Sequence, residues 1–402
     1  MSRAKAPLTG INVDQVRFRQ DLLSIDRAQL AKLSGIAESK IDRLLSDDET
    51  SLSFAQLTKL AKVLGVGVLT LFEPPAAEAA TGPTATLYRT VRNAARTDFD
   101  DPMLATKVKR LMIEVRRQRQ RYVDLLKDEI DIPAFDPPTI DRNDIPAAAA
   151  RVRKWIGWER VQSSMVSPKF EDFRFACEQR WVFVMRLGGY AGRWQLPGEA
   201  DVAGFCLYEP TMPVIVVRRD DSDSRQTFTL AHELGHLVLH RDDFFDTNGN
   251  LDATRGREKE ANAFAGHVLL PVDVLTEHCG HLSRKMPTEV SRWNDHFRSA
   301  TRRLGVSTDV VLRRLTDERL IASDVYRRYR GFQKGLPPQR SDNGGSRQYR
   351  DREPLHLFGR RYVATVIESW NQGELSSRSA SRLLDNLRMP QLKKLREHVT
   401  GA

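Results

Sequence analysis

The run Thr227-Phe228-Thr229-Leu230-Ala231-His232-Glu233-Leu234-Gly235-His236 sets two imidazoles four residues apart, with a carboxylate next to the first. On a helix, residues four apart share one face, one turn above the other. Two imidazoles so placed can bind one Zn²⁺. Glu233 is offset round the helix from that face, where it can take a proton from a water beside the metal. The chain has nine histidines, and in such a chain HExxH arises by accident about 0.01 times. Phe228, Leu230, Ala231, Leu237, Val238 and Leu239 flank the motif, so the helix is expected to be buried. Buried imidazoles and a buried carboxylate need partners, and a metal supplies them. Zn²⁺ is therefore the expected cofactor, with His232 and His236 as ligands and Glu233 as catalytic base.

A catalytic zinc site takes three protein ligands and keeps one position for water. Downstream, Glu258-Lys259-Glu260-Ala261-Asn262-Ala263-Phe264-Ala265 offers two carboxylates on a second helical pattern. Ala261, Ala265, Val268 and Leu269 define the inward stripe of that helix. Glu258 falls on the stripe, three residues before Ala261 and seven before Ala265, whereas Glu260 lies about 200° round from Glu258. Glu258 is preferred as third ligand. Glu260 is expected to be solvated or to support a ligand from behind. Asn262, one turn after Glu258, is placed to orient a ligand as a hydrogen-bond donor. His240, His267 and His278 are expected to pack rather than to bind metal.

Several elements must position these residues. WVFVMR at 181–186 and PVIVVR at 213–218 are rich in β-branched and aromatic residues and are expected to be strands. The Gly-rich stretch between them reads as a connection. Helices are expected at 225–240 and 256–270, and strands followed by helices give an α+β core. Upstream, residues 11–73 carry short helical patterns, with Asp26 as an N-cap and Gly35 as a tight turn. FEPPAAEAATGPTA reads as a linker. Leu104, Val108, Leu111, Met112, Val115, Tyr122, Leu125 and Leu126 mark a long helix over 101–129 whose other face is filled by Arg and Lys. After Pro271 the pattern is helical to about 330. A polar, Gly- and Pro-containing linker at 335–353 precedes a small helical unit.

The bulk composition bounds the class. With 402 residues, 40% of them apolar, the chain is globular and long enough for more than one domain. The formal net charge of +10 is compatible with nucleic-acid binding, although much of the charge lies in Arg-rich helical stretches that read equally as solvated faces. Three cysteines, Cys177, Cys206 and Cys279, make no disulfide framework and no CxxC pair; reduced, packed thiols are expected. The N-terminal MSRAKAPLTG lacks the apolar stretch of a secretory signal, and no apolar run has membrane-spanning length. A cytoplasmic protein with no membrane partner is expected.

The stretch from Gly204 through PVIVVRRDDSDSRQTFTLAHELGHLVLH to EKEANAFAGHVLLP resembles the ImmA/IrrE family of bacterial metallopeptidases, which show a P-x-I strand, an FTLAHELGH helix and an ExxAN-x-FA-x-x-LL-x-P helix in this order. The resemblance implies a gluzincin-like zinc site with Glu258, the first Glu of ExxAN, as third ligand. The N-terminal region resembles the XRE-type (Cro/repressor-like) helix-turn-helix often fused to this peptidase. It implies a first helix over Asp26–Leu33 and a recognition helix over Glu38–Leu45, which would offer Ser39, Lys40 and Arg43 to DNA. Glu38 and Asp42, with Asp47, Asp48 and Glu49 just beyond, depart from that pattern, because carboxylates oppose phosphate contact.

The fold expected is mostly α, with an α+β zincin-like metallopeptidase core, an all-α helix-turn-helix at the N-terminus and a helical C-terminal region. The domains expected are the helix-turn-helix at 1–75, linker and long helix at 76–145, peptidase at 146–275, helical extension at 276–334, flexible linker at 335–353 and C-terminal unit at 354–402. The resemblance implies a regulatory peptidase acting on a specific protein, a repressor or a toxin–antitoxin type of partner encoded by a neighbouring gene. A double-stranded DNA operator is the second expected partner, and a homodimer would pair two weak helix-turn-helix modules. The rival reading is a DNA-binding regulator or antitoxin whose zinc site is structural or silent.

Overall fold

In the computed structural model, which describes residues 10–23, 25–46, 51–75, 102–127, 129–188, 192–196, 202–219, 221–247, 255–336 and 347–400, four helices form the N-terminal region, all but the third started by a side-chain cap. These are α1 (Val13–Leu23), α2 (Arg27–Ser34), α3 (Glu38–Leu45) and α4 (Phe54–Leu64). Asp26 caps α2 as expected: its carboxylate accepts from Gln29 N at 2.7 Å while the Gln29 side chain accepts from Asp26 N at 2.9 Å. Ser53 and Gln56 repeat this capping box on α4. Gly35 and Gly65 end the two helices at φ +64° and +68°, a backbone conformation other residues rarely adopt. Val16, Leu30, Ile41, Leu44, Leu57 and Leu60 fill the core between these helices. Asp47, Asp48 and Glu49 lie outside the described residues, as do most of the FEPPAAEAATGPTA segment and residues 337–346.

The chain divides into two units, Met1–Val115 with Pro197–Ala200, and Arg116–Leu196 with Asp201–Ala402. The division falls inside the long helix α5 (Pro102–Leu126). Its apolar residues from Val108 to Leu126 are mostly buried as expected, while the side chain of Leu104 lies outside those described. Its basic residues are not all solvated. Lys109, Arg116 and Arg119 are buried, because each head reaches a fixed acceptor. Lys109 Nζ donates to Leu23 O, Arg116 pairs with Glu209 and Asp243, and Arg119 donates to the carbonyls of Thr211 and Met212.

The second unit carries α6 (Ile145–Trp155), α7 (Trp158–Ser164), α8 (Phe170–Glu178), β1 (Phe183–Leu187), β2 (Val202–Leu207), β3 (Val214–Arg218), α9 (Asp223–Gly235), β4 (Phe244–Thr247), α10 (Gly256–Leu269) and α11 (Val272–Ser283). The strands form one sheet in the order β1-β3-β2-β4. β1 runs parallel to β3, with Phe183 opposite Val214, and the other two pairings are antiparallel. Both faces are covered, so the strands are continuous apolar runs rather than alternating ones. Val184, Cys206, Ile215 and Val217 join the core that includes Leu230, Ala231 and Leu234 of α9. Phe183 instead meets Tyr122 and Tyr362 at ring-centroid distances of 5.3 and 5.5 Å.

Helices complete the unit: α12 (Trp293–His296), α13 (Arg298–Leu304), α14 (Thr308–Asp317), α15 (Ser323–Lys334), α16 (Glu353–Phe358), α17 (Arg360–Asn371), α18 (Ser377–Leu383) and α19 (Met389–Thr400). The protein is thus mostly helical, with a small α+β core in the second unit. β2 and β4 are strands the sequence did not reveal. The Gly-rich connection ends in β2, which holds one β-branched residue and Gly204 in its middle, and β4 has only four residues. The three cysteines are buried and none is in a disulfide. No described helix is long and apolar enough to cross a membrane.

α9 and α10 approach closely at Gly235. A Cβ there would lie 2.9 Å from Phe264 Cδ1 and 3.4 Å from the Cα of Ala261. Replacing a helical Gly by Ala ordinarily gains about 0.5–1 kcal/mol. Here Phe264 is fully buried and cannot yield, and overpacking costs about 1–3 kcal/mol. Gly235→Ala is expected to destabilise the protein by ~1 kcal/mol or more, read as a lower midpoint in denaturant unfolding; a raised midpoint would contradict this packing.

Candidate metal centre

The helix α9 begins at Ser222, whose hydroxyl accepts from Arg225 N. It stays α-helical to Gly235, and His236–His240 then form one π-helical turn. Such turns are rare and concentrate at functional sites. His232, Glu233 and His236 are all fully buried. The two imidazoles face each other, Nε2 to Nε2, at 3.0 Å. Glu258, in the first turn of α10, brings Oε2 to 3.3 Å from His232 Nε2 and 3.5 Å from His236 Nε2.

Each imidazole is held from behind through Nδ1. Asn262 Oδ1 lies 3.0 Å from His232 Nδ1. An amide oxygen can only accept, so His232 Nδ1 carries the hydrogen and its Nε2 presents a lone pair. Asn262 thus meets the ring as an acceptor, where the sequence suggested a donor. His236 Nδ1 lies 2.9 Å from His240 Nδ1, and His240 Nε2 lies 3.0 Å from Glu260 Oε2. Glu260 also takes Arg142 Nη2 at 2.7 Å. Burial opposes ionisation of Glu260, but its bonds to Arg142 and His240 outweigh it and hold the carboxyl below the usual carboxylate range. Burial pushes the His240 imidazole down to about 4, against the pull of Glu260. Phe244 of β4 stacks on His236 with centroids 3.9 Å apart and planes 15° apart.

The donor set fits a metal ion. A tetrahedral ion with bonds of about 2.0–2.1 Å to N and O spaces its donor atoms about 3.3 Å apart, and the three separations here are 3.0, 3.3 and 3.5 Å. Two imidazole nitrogens and a carboxylate oxygen crowded this closely are the chemistry that a borderline cation joins. Among the described residues, no other group of three His, Cys, Asp or Glu donors comes as close together. Glu260 stands outside the set, paired with Arg142 and His240. His267 and His278 also stand apart, lining a cleft of about 720 Å³ formed with Pro146, Glu159 and Arg303.

His240 and Arg142 escaped the sequence reading as partners of the site. The spacing of His240, four after His236 and on the same face, was the available signal, but only the structure adds Glu260 beside it. In the N-terminal unit, Ser39 and Arg43 of α3 are exposed and Lys40 is half-buried, with Nζ 3.4 Å from Gln56 Oε1. The opposing carboxylate of Asp42 is paired with Arg27 at 3.1 Å.

Residues 196–316 match the family model of the IrrE N-terminal-like domain, a metallopeptidase family. Residues 22–77 match that of the Cro/C1-type helix-turn-helix DNA-binding domain. No curated protein and no solved structure matches the chain significantly.

Gly204 of β2 gives Glu233 its place. A Cβ at Gly204 would lie 2.7 Å from Thr229 Cγ2, 2.8 Å from Val216 O and 2.9 Å from Glu233 Oε1. Neither the strand backbone nor a buried helix can retreat from it. Gly204→Ala is expected to cost ~1–3 kcal/mol in denaturant unfolding, and wild-type stability would show that the strand and α9 are not in such contact.

Proposed function

From an IrrE N-terminal-like domain joined to a Cro/C1-type helix-turn-helix, we propose that the protein is a regulatory zinc-dependent peptidase that cuts a specific partner protein. The observation that carries this reading is the convergence of His232 Nε2, His236 Nε2 and Glu258 Oε2 within 3.5 Å, with Glu233 buried on the same helix. His232, His236 and Glu258 hold the zinc, and Asn262 fixes the tautomer of His232. When bound, zinc lowers the pKa of a water and polarises the scissile carbonyl. Glu233 accepts the proton of the attacking water and passes it to the leaving amine. Its burial beside Gly204 keeps bulk water from competing for that proton. The substrate is a repressor or a toxin–antitoxin type of protein encoded nearby, and the protein works in the cytoplasm.

Metal analysis of the purified protein is expected to give about one zinc per chain. His232→Ala and His236→Ala should lose it, and Glu258→Gln should bind it more weakly. Glu233→Gln should keep zinc and abolish cleavage of the neighbour-encoded protein. Full zinc in the His232→Ala/His236→Ala double variant would sink the site. Cleavage that survives Glu233→Gln would remove the base. Cleavage absent from the wild type, with operator binding intact, would instead favour a DNA-binding regulator with a silent site.

The helix-turn-helix reads double-stranded DNA through Ser39, Lys40 and Arg43, and a homodimer places two modules on half-sites one helical turn apart. Pairing of Asp42 with Arg27 offsets one of the carboxylates that oppose phosphate contact. Lys40→Ala and Arg43→Ala are expected to weaken operator binding, and loss of a phosphate contact should lower the salt slope by about 1. Footprinting and salt titration check this. A variant pair that binds like wild type at every salt concentration would take α3 out of DNA recognition.

A further inference from the structure

Both imidazoles of the site are gripped through Nδ1, but by different chemistry. His232 is held by the neutral amide of Asn262. Behind His236 stands a row of three side chains from three segments: His240 at the end of the π-helical turn, Glu260 of α10, and Arg142 ahead of α6. We infer that His240, Glu260 and Arg142 form a hydrogen-bonded relay that positions His236 and raises its basicity as a metal ligand. This rests on the reading of His236 as a ligand.

The direction of every bond in the relay follows from what each group can do. Arg142 can only donate, and the Glu260 carboxylate can only accept. His240 must then donate from Nε2 to Glu260, at 3.0 Å. With its Nε2 turned toward Glu258 as a ligand atom, His236 carries its hydrogen on Nδ1 and donates it to His240 Nδ1, at 2.9 Å. The negative charge of Glu260 thus acts on His236 through His240, while Arg142, at 2.7 Å, keeps the carboxylate aimed. Phe244, stacked on the His236 ring, keeps it in that plane. His240 and Glu260 are positioning residues, since neither lies within the trio of donor atoms.

The test measures zinc affinity of the full-length protein by competition with a chromophoric chelator. His240→Ala is expected to weaken zinc binding about 10–100-fold, the usual cost of removing such a support. Glu260→Gln should weaken it less, and on the His240→Ala background it should add nothing. His240→Asn should recover most of the loss, because the Asn oxygen can stand where Nδ1 stood and accept from His236. Circular dichroism of the zinc-free variants checks that they are folded; should His240→Ala fail to fold, His240→Asn with and without Glu260→Gln carries the comparison. Wild-type affinity in His240→Ala, or equal losses from Glu260→Gln in both backgrounds, overturns the relay. His236→Ala separates the two levels: if it loses zinc while His240→Ala does not, only the relay falls, and if it keeps zinc the assignment of the metal site falls too.

Discussion

Two helices can bring three donor atoms within 3.5 Å of one another only if their backbones nearly touch, and at Gly235 they do. The glycine of HELGH is where α9 accepts the ring of Phe264 and the backbone of Ala261. That contact sets α10 at the distance from which Glu258 reaches both imidazoles and Asn262 reaches behind one of them. Side chains larger than hydrogen would push the helices apart and dissolve the cluster before any ligand was changed. A second glycine, Gly204, does the same from the sheet side, so that Glu233 sits against β2.

The polar side chains that stabilise this arrangement are inside it. The last carbonyls of α10 have no partner within the helix, and the negative end of its dipole points at them. Arg153 Nη1 donates to Val268 O, Gln162 Nε2 to Leu269 O and Arg314 Nε to Leu270 O. Arg314 passes over Gly266, where a Cβ would lie 2.8 Å from its Cδ. Arg174 does similar service under the sheet, donating to Val184 O and to carbonyls at the end of α16 while paired with Glu178. Buried charges are costly when left alone, so each of these guanidinium groups fixes the elements that supply its acceptors.

The convergence of His232, His236 and Glu258 was legible because these residues are local and periodic. His232 and His236 are one turn apart, and Glu258 stands on the stripe defined by Ala261 and Ala265, so helix geometry alone ranked it above Glu260. The helical patterns and the caps at Asp26 and Gly35 were equally local. What the sequence hid were relations between distant segments. β2 earns its strand from β3 and β4, not from its own residues, with Gly204 in its middle. The Arg and Lys face of α5 reads as solvated until the carbonyls of the 211–212 turn and the carboxylates of Glu209 and Asp243 are known to meet it. Asn262 was found by spacing, but whether it donates or accepts depends on which imidazole nitrogen it faces.

The cap on α10 also has a bearing on the order in which the chain is made. Its three donors come from residues 153, 162 and 314, on either side of the helix they close. A nascent chain emerges from the ribosome N-terminus first. When it has been translated as far as Glu258 it already holds the side chains of His232, His236 and Glu258. The end of the helix that carries Glu258 is still open, and Arg314 lies more than fifty residues further along. The last of the three residues that close the C-terminal end of α10 is therefore synthesised after every donor side chain, and a product truncated before α14 would contain the three donors and two of the cap residues but lack Arg314.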